Sequence, residues 1–303
     1  MGKNLTLQQA FRLFGTEESA EQFFINRRWP NGIACYKCGS LNVAKVASRK
    51  PQPFRCREQG CRHHFSVKSG TLMHNSRLPL TAWAWAIYLL TTDPKGVSST
   101  NLTKYLGVHQ QTAWYLAHRI RKAMVPKREK FAGPVEVDET YVGGSDYNRH
   151  FDQRLGKYAG KVAVIGILDR PTKQVRAHVI ENADRRTMHN YVVKRTERSA
   201  VVYSDEHQGY AKLPREHHTV THSWGVYARG RVSTNGIEAF WSILKRSYKG
   251  TYHTLSRKHL NRYLAEFSSR HNDRALDAVD RIGKIIKAME GKRLRYQDLV
   301  GAK

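Results

Sequence analysis

The chain has 303 residues, 40% of them hydrophobic, and Lys plus Arg outnumber Asp plus Glu by 52 to 25, giving a formal net charge of +27. That length and apolar content support more than one buried core and exclude a disordered chain. The charge points to a polyanionic partner, nucleic acid ahead of a membrane surface, because phosphate neutralisation and counterion release drive such binding.

No apolar run approaches the roughly 20 residues of a spanning helix. The N-terminus MGKNLTLQQAFRLFG lacks the apolar centre of a secretion signal. A soluble, cytoplasmic, nucleoid-associated protein is expected. Residues 1–30 read as an N-terminal helical segment and 31–70 as a ribbon carrying every cysteine: Cys35, Cys38, Cys56 and Cys61. Two close pairs, C-x2-C and C-x4-C, set thiolates on tight turns where they can close a tetrahedral zinc site. Two disulfides fit poorly with a chain lacking a secretion signal. His63 and His64 could replace a ligand, but four cysteines already saturate the site. Zinc does not specify function, since a ribbon can bind DNA, bind protein or only stabilise the fold.

Residues 71–128 read as a helical, helix-turn-helix region. The apolar PLTAWAWAIYLLTT stops at Asp93-Pro94. Ser98 or Ser99 can then cap a short helix with Leu102, Tyr105 and Leu106 at core spacing. Gly107 makes the turn, and a second helix carries Val108, Ala113, Leu116 and Ile120 inward. Its other face shows His109, Gln110, Gln111, Thr112 and Arg119, residue types that suit a major-groove recognition helix. A plain helical pair with a polar face is the alternative; the charge favours DNA.

From about residue 134 the texture changes to strands. PVEVDETYV, KVAVIGILD, QVRAHVIE and SAVVYSD read as four strands, with the helical ADRRTMHNYVVKR before the last. Asp138 lies on the first strand and Asp205 ends the fourth. If these strands are neighbours, the two carboxylates meet, and hard oxygen ligands beside a polyanion suit Mg²⁺ or Mn²⁺. Glu136 shares the side of Asp138 and Glu139 points to the other face; both are expected to be structural or supporting. A third acid is sought in STNGIEAFWSILKRSYKG. On a helix, Ile237, Phe240, Trp241, Leu244 and Tyr248 form an apolar stripe, while Asn235, Glu238, Ser242, Lys245 and Lys249 line the polar face. That face is either solvated or part of the site. His222, Arg229 and Arg231, just upstream, are candidate DNA contacts and equally plain loop residues. Residues 273–303 are expected as a C-terminal helical tail.

The stretches ACYKCGS, LGVHQQTAWYLAHRIRKAM, VEVDETYVGG, SDEHQGY and STNGIEAFWSILKRS resemble insertion-sequence transposases of the DDE type with an N-terminal zinc ribbon, the family numbered fifteen ninety-five. The resemblance implies an α/β, ribonuclease-H-like mixed-sheet catalytic domain over 129–272, preceded by the ribbon and the helix-turn-helix domain. It implies Asp138 and Asp205 as metal ligands, Glu238 or Asn235 as the third, and Lys245 as the following lysine. The expected activity is cleavage of element ends in double-stranded DNA and joining of their 3′-hydroxyls to target DNA. It would use two Mg²⁺ or Mn²⁺ ions about 4 Å apart in an in-line displacement. Structural zinc is the second metal expected. At least a homodimer is expected, because two ends must be held. A non-catalytic DNA-binding regulator and a nuclease that cuts without joining are the rival readings.

Overall fold

A computed structural model describes residues 5–46, 48–126, 129–143, 160–220 and 233–301. The chain divides into two compact units, residues 1–124 with 274–303, and residues 125–273.

The first unit begins with α1 (Leu7–Phe14) and α2 (Glu17–Arg28), each opened by a threonine cap whose side chain accepts a backbone N–H three residues on. Three short antiparallel strands follow: β1 (Val43–Lys45), β2 (Phe54–Cys56) and β3 (His64–Phe65). Such strands cannot bury enough surface alone. Trp29 packs edge-on against Phe54 and Phe65, with centroids 5.9 and 6.0 Å away, and gives them an aromatic core.

Helix α3 (Leu80–Thr92) is apolar all round because it is the centre of the unit, with Trp83, Ala84, Ala86, Ile87 and Leu90 fully buried. It ends where Asp93 precedes proline and is pushed to an extended conformation. Helix α4 (Ser99–Leu106) is capped by Ser98, and Gly107 takes the left-handed conformation (φ 64°) that turns the chain into α5 (Gln110–Ala123). Of the three core residues expected on α4, Leu102 is buried and Leu106 partly so. Tyr105 is exposed, because eight residues offer the core one narrow stripe. Residues 274–303, expected as a tail, contribute α9 (Ala278–Ala288) and α10 (Tyr296–Val300) to this same unit. Helix α9 packs on α2, α3 and α5 through Ile282, Ile285 and Ile286, all buried, an apolar face too large to leave in water.

The second unit is a five-stranded mixed sheet of order β6-β5-β4-β7-β8, with β4 (Val135–Val142), β5 (Val162–Asp169), β6 (Gln174–Val179), β7 (Val202–Ser204) and β8 (His217–Thr219). The β4–β5–β6 meander is antiparallel, while β7 runs parallel to β4 and β8 parallel to β7. The β4–β7 pairing runs parallel because α6 (Arg185–Arg195) intervenes in the connection. The edge strand β8 had no sequence signal, since its HHT residues are neither apolar nor alternating. Each sheet face has its own core. Val135, Val137, Ile165 and Ile167 pack with Met188 and Val192 of α6. On the reverse, Val164 and Leu168 pack with α7 (Asn235–Ser247) and α8 (Arg257–Asn272).

Gly166 sets how closely α7 approaches. It pairs with Asp138 across the β4–β5 ladder, and a Cβ placed on it would lie 2.6 Å from the Trp241 ring. A bare backbone here lets the indole lie against the sheet beside Asp138. Gly166→Ala is expected to cost about 1–3 kcal/mol through overpacking, lowering Tm by several degrees in a thermal melt. Adding Trp241→Phe should recover part of that loss, whereas simple additivity of the two changes would rule out this contact as the cause.

Candidate active site

Val135 pairs with Val202 and Glu136 with Tyr203, so the same offset carried on by two residues sets Asp138 level with Asp205. Both strands run in the same direction, so both carboxylates come to one end of one neighbouring pair. Carboxylate oxygens of Asp138, Asp205 and Glu139 lie within 4.8 Å of one another.

The inclusion of Glu139 departs from the sequence expectation. The pleat does turn it to the face opposite Asp138, but β7 ends at Ser204 while β4 continues to Val142. Past that point none of the described strands flanks β4 on this side, which leaves room for the Glu139 carboxylate beside that of Asp205. Tyr210, fully buried, donates its hydroxyl to Glu139 Oε2 at 2.9 Å. His207 Nε2 lies 3.8 Å from the other oxygen, Oε1. The Gly209 N–H donates to His207 Nδ1, leaving the neutral ring proton on Nε2, toward the carboxylate.

Glu136, expected on the same side of β4 as Asp138 in a supporting role, is buried and fully engaged. It accepts from Arg170 Nε at 2.8 Å and from the Ile237 N–H at 3.0 Å. Arg170 also donates to the Ser233 hydroxyl at 2.8 Å. Glu136 and Arg170 together pin the start of α7 to β4, with the carboxylate complementing the helix N-terminus. That clamp places Glu238, one turn in. Its Oε1 accepts from the buried Thr234 hydroxyl at 2.7 Å. Glu238 shares a cleft of about 420 Å³ with Asp138 and Glu139, while Lys245 and Lys249 form the cationic wall. It stands in that cleft but outside the 4.8 Å group. Asn235 is exposed at the first position of α7 and does not line the cleft. Arg229 and Arg231, with His222, lie outside the described residues.

Burial, then the facing Glu139 and Asp205, push the Asp138 carboxyl up to about 8. Glu139 is raised as well, by burial and by Asp205. Acids gathered at a cost in self-repulsion are what a hard divalent ion relieves, and the all-oxygen donor set suits Mg²⁺ or Mn²⁺.

In the first unit Cys35, Cys38, Cys56 and Cys61 also fall within 4.8 Å of one another. The sulfurs of Cys35 and Cys61 are 3.7 Å apart and those of Cys38 and Cys56 3.6 Å. A tetrahedral zinc with bonds of about 2.3 Å requires sulfurs about 3.8 Å apart. The four-residue spacer is accommodated by a turn in which Cys61 donates to the Glu58 carbonyl. His63 and His64 are occupied elsewhere, at the Tyr36 hydroxyl and at Arg49.

On α5, His109 caps the helix and Gln110, Gln111 and half-buried Thr112 show on its first turn. Arg119 does not share that display. It is buried, stacked over Trp83 and Tyr115 at 5.0 and 5.2 Å, and it donates to the His74 carbonyl. Helix α5 is wrapped on all sides from Leu116 to Arg121, so a face read from helical spacing alone ends after one turn.

Residues 130–272 match the family described as the ISXO2-like transposase domain, and residues 15–64 that described as the transposase zinc-ribbon domain. The chain is also 27% identical over 275 residues to an uncharacterized protein in the transposable element ISH50 of Halobacterium salinarum. That alignment covers 86% of this chain and 92% of its relative. The chain thus carries, in one order along one sequence, a transposase zinc ribbon and an ISXO2-like transposase domain, and it is similar over most of its length to a transposable-element protein.

Proposed function

We propose that this protein cuts the ends of an insertion sequence and joins the freed 3′-hydroxyls to target DNA on a ribonuclease-H-like domain. The observation that carries this reading is the level placement of Asp138 on β4 and Asp205 just past the end of the parallel β7, their carboxylates within 4.8 Å, with Asp138 lining a cleft that Lys245 and Lys249 share. Asp138 and Asp205 would hold the divalent ions, with Glu238 completing the set; the exposure of Asn235 outside the cleft weighs against the alternative. Bound there, Mg²⁺ or Mn²⁺ would activate water or a terminal hydroxyl and stabilise the departing oxygen.

The chain's own groups supply the rest. Glu139 would add negative charge to the ion site, oriented by Tyr210 and His207. Lys245 and Lys249 would hold the DNA backbone beside the scissile phosphate. His109, Gln110, Gln111 and Thr112 on the first turn of α5 would contact DNA as a helix-turn-helix element, with the ribbon holding structural zinc beside them in sequence. Two copies would be needed to hold two ends, working at the nucleoid.

The test is incubation of the protein with DNA carrying the gene's own flanking sequence, with and without Mn²⁺ or Mg²⁺. Cleavage and joining are expected only with the ion. Cleavage without joining would leave a nuclease, and binding without cleavage under several divalent ions would leave a DNA-binding regulator.

A further inference from the structure

The segment that follows α9 is built into the wall of the first unit. Glu290 bridges to Thr71, and the Gly291 N–H donates to the Gly70 carbonyl at 2.9 Å. Leu294 and Leu299 are buried. The Tyr115 hydroxyl donates to the Leu294 carbonyl at 2.6 Å, and Lys122 Nζ to the Arg293 carbonyl at 2.7 Å. Gln111, on the first turn of α5, donates to the Tyr296 hydroxyl. Backbone, leucines and aromatic contacts therefore hold residues 290–299 in one course along α5.

That course presents Lys292 and Arg293 to a cavity of about 550 Å³, whose other walls include Cys35 and Tyr36 of the ribbon and His74. Two further charges of the wall cancel, since Arg28 is spent on Glu290 at 2.8 Å. Asp298 is likewise taken by Arg295, at 3.0 Å. Lys292 and Arg293 have no carboxylate partner among the described residues. Lys292 is partly buried and pressed by the like charge of Lys122, so its pKa falls. Holding cations together in a pre-formed wall, with the nearby acids already paired, costs energy that an external polyanion returns.

We propose that Lys292 and Arg293 bind the phosphate backbone of duplex DNA, so that the C-terminal segment extends the DNA-binding face of the ribbon and α5. This rests on the DNA-binding reading above. Duplex DNA is favoured over an acidic protein because the wall offers two adjacent cations held on a fixed backbone, in a chain of net charge +27, the pattern of backbone contact.

The experiment is binding of the full-length, zinc-loaded protein to a duplex of the gene's flanking sequence across a salt series. Each backbone contact contributes about 0.9 to the slope of log K against log salt. Lys292→Gln and Arg293→Gln are each expected to lower that slope by about 1, and the double variant by about 2, with zinc content and Tm unchanged. Lys292→Arg should keep the slope. Wild-type binding with an unchanged slope in the double variant would overturn the inference while leaving the DNA-binding reading intact. Loss of binding to polyglutamate in place of a DNA effect would assign the wall to an acidic protein and overturn it too. Failure of the wild type to bind DNA would overturn both.

Discussion

Asp138→Asn is expected to lower metal-dependent DNA cleavage by about 10²–10³-fold, the scale of removing one charge-stabilising group from an active site, while leaving DNA binding intact. The same substitution carries a stability signature of opposite sign. The Asp138 carboxyl stands at about 8 in the fold against 3.8 when free, because it is buried among Glu139 and Asp205. A raised carboxyl binds its proton in the folded state where the unfolded chain has already released it, so stability falls as pH rises from about 4 and the full cost is reached above about 8. Asparagine has no such cost. Metal-free Asp138→Asn should therefore match wild type near pH 4 and exceed it by roughly 2–5 kcal/mol at pH 8 and above. Mn²⁺ should then raise the Tm of wild type at pH 8 and hardly move that of the variant. Equal Mn²⁺ shifts in the two proteins would take the ion site away from Asp138.

Removing one ribbon sulfur should have the larger structural effect. Cys56 is fully buried at the end of β2, and burial pushes its thiol up to about 12. It needs a cation to be a thiolate, and in exchange a closed four-sulfur zinc site contributes about 10–16 kcal/mol of apparent binding energy. The ribbon's strands are two or three residues long and their aromatic core is continuous with that of the helices. Cys56→Ser, or chelation of wild type, is accordingly expected to lower the first unfolding transition by about 10 °C or more. One zinc per chain should be lost with it, and DNA binding should follow. The reporter is calorimetry with parallel metal analysis; a chain that folds normally with no bound metal would contradict the zinc assignment.

Much of both centres was legible because local rules produce it. Cysteine spacing announced the four-sulfur cluster, since a tight turn brings near neighbours together whatever surrounds it. Period-two alternation marked β4, and helical spacing separated the stripe of Ile237, Phe240 and Trp241 from the face of Glu238, Lys245 and Lys249. A strand and a helix each impose their own geometry on their side chains. The course of β5 was visible for a different reason: it is buried on both faces, so AVIGIL reads as a continuous apolar run.

What spacing could not show is where one element ends relative to its neighbour. Glu139 joins Asp138 and Asp205 only because β7 stops short of β4, a property of the pair that neither strand carries alone. The supporting role of Glu136 takes its form from Arg170 and the first turn of α7, which claim both of its oxygens. Arg119 is buried because other elements of its unit close over the polar side of α5. Residues 274–301 return to the first unit because α9 has an apolar face that helices far away in sequence can cover. The sequence by itself determined the cysteine cluster, the charge and the amphipathic faces, which follow from short-range chain geometry. The tertiary structure alone decided which acids share the site and which cations line the wall beside the ribbon, because those depend on strand ends, helix docking and competition for partners among residues that the chain order does not relate.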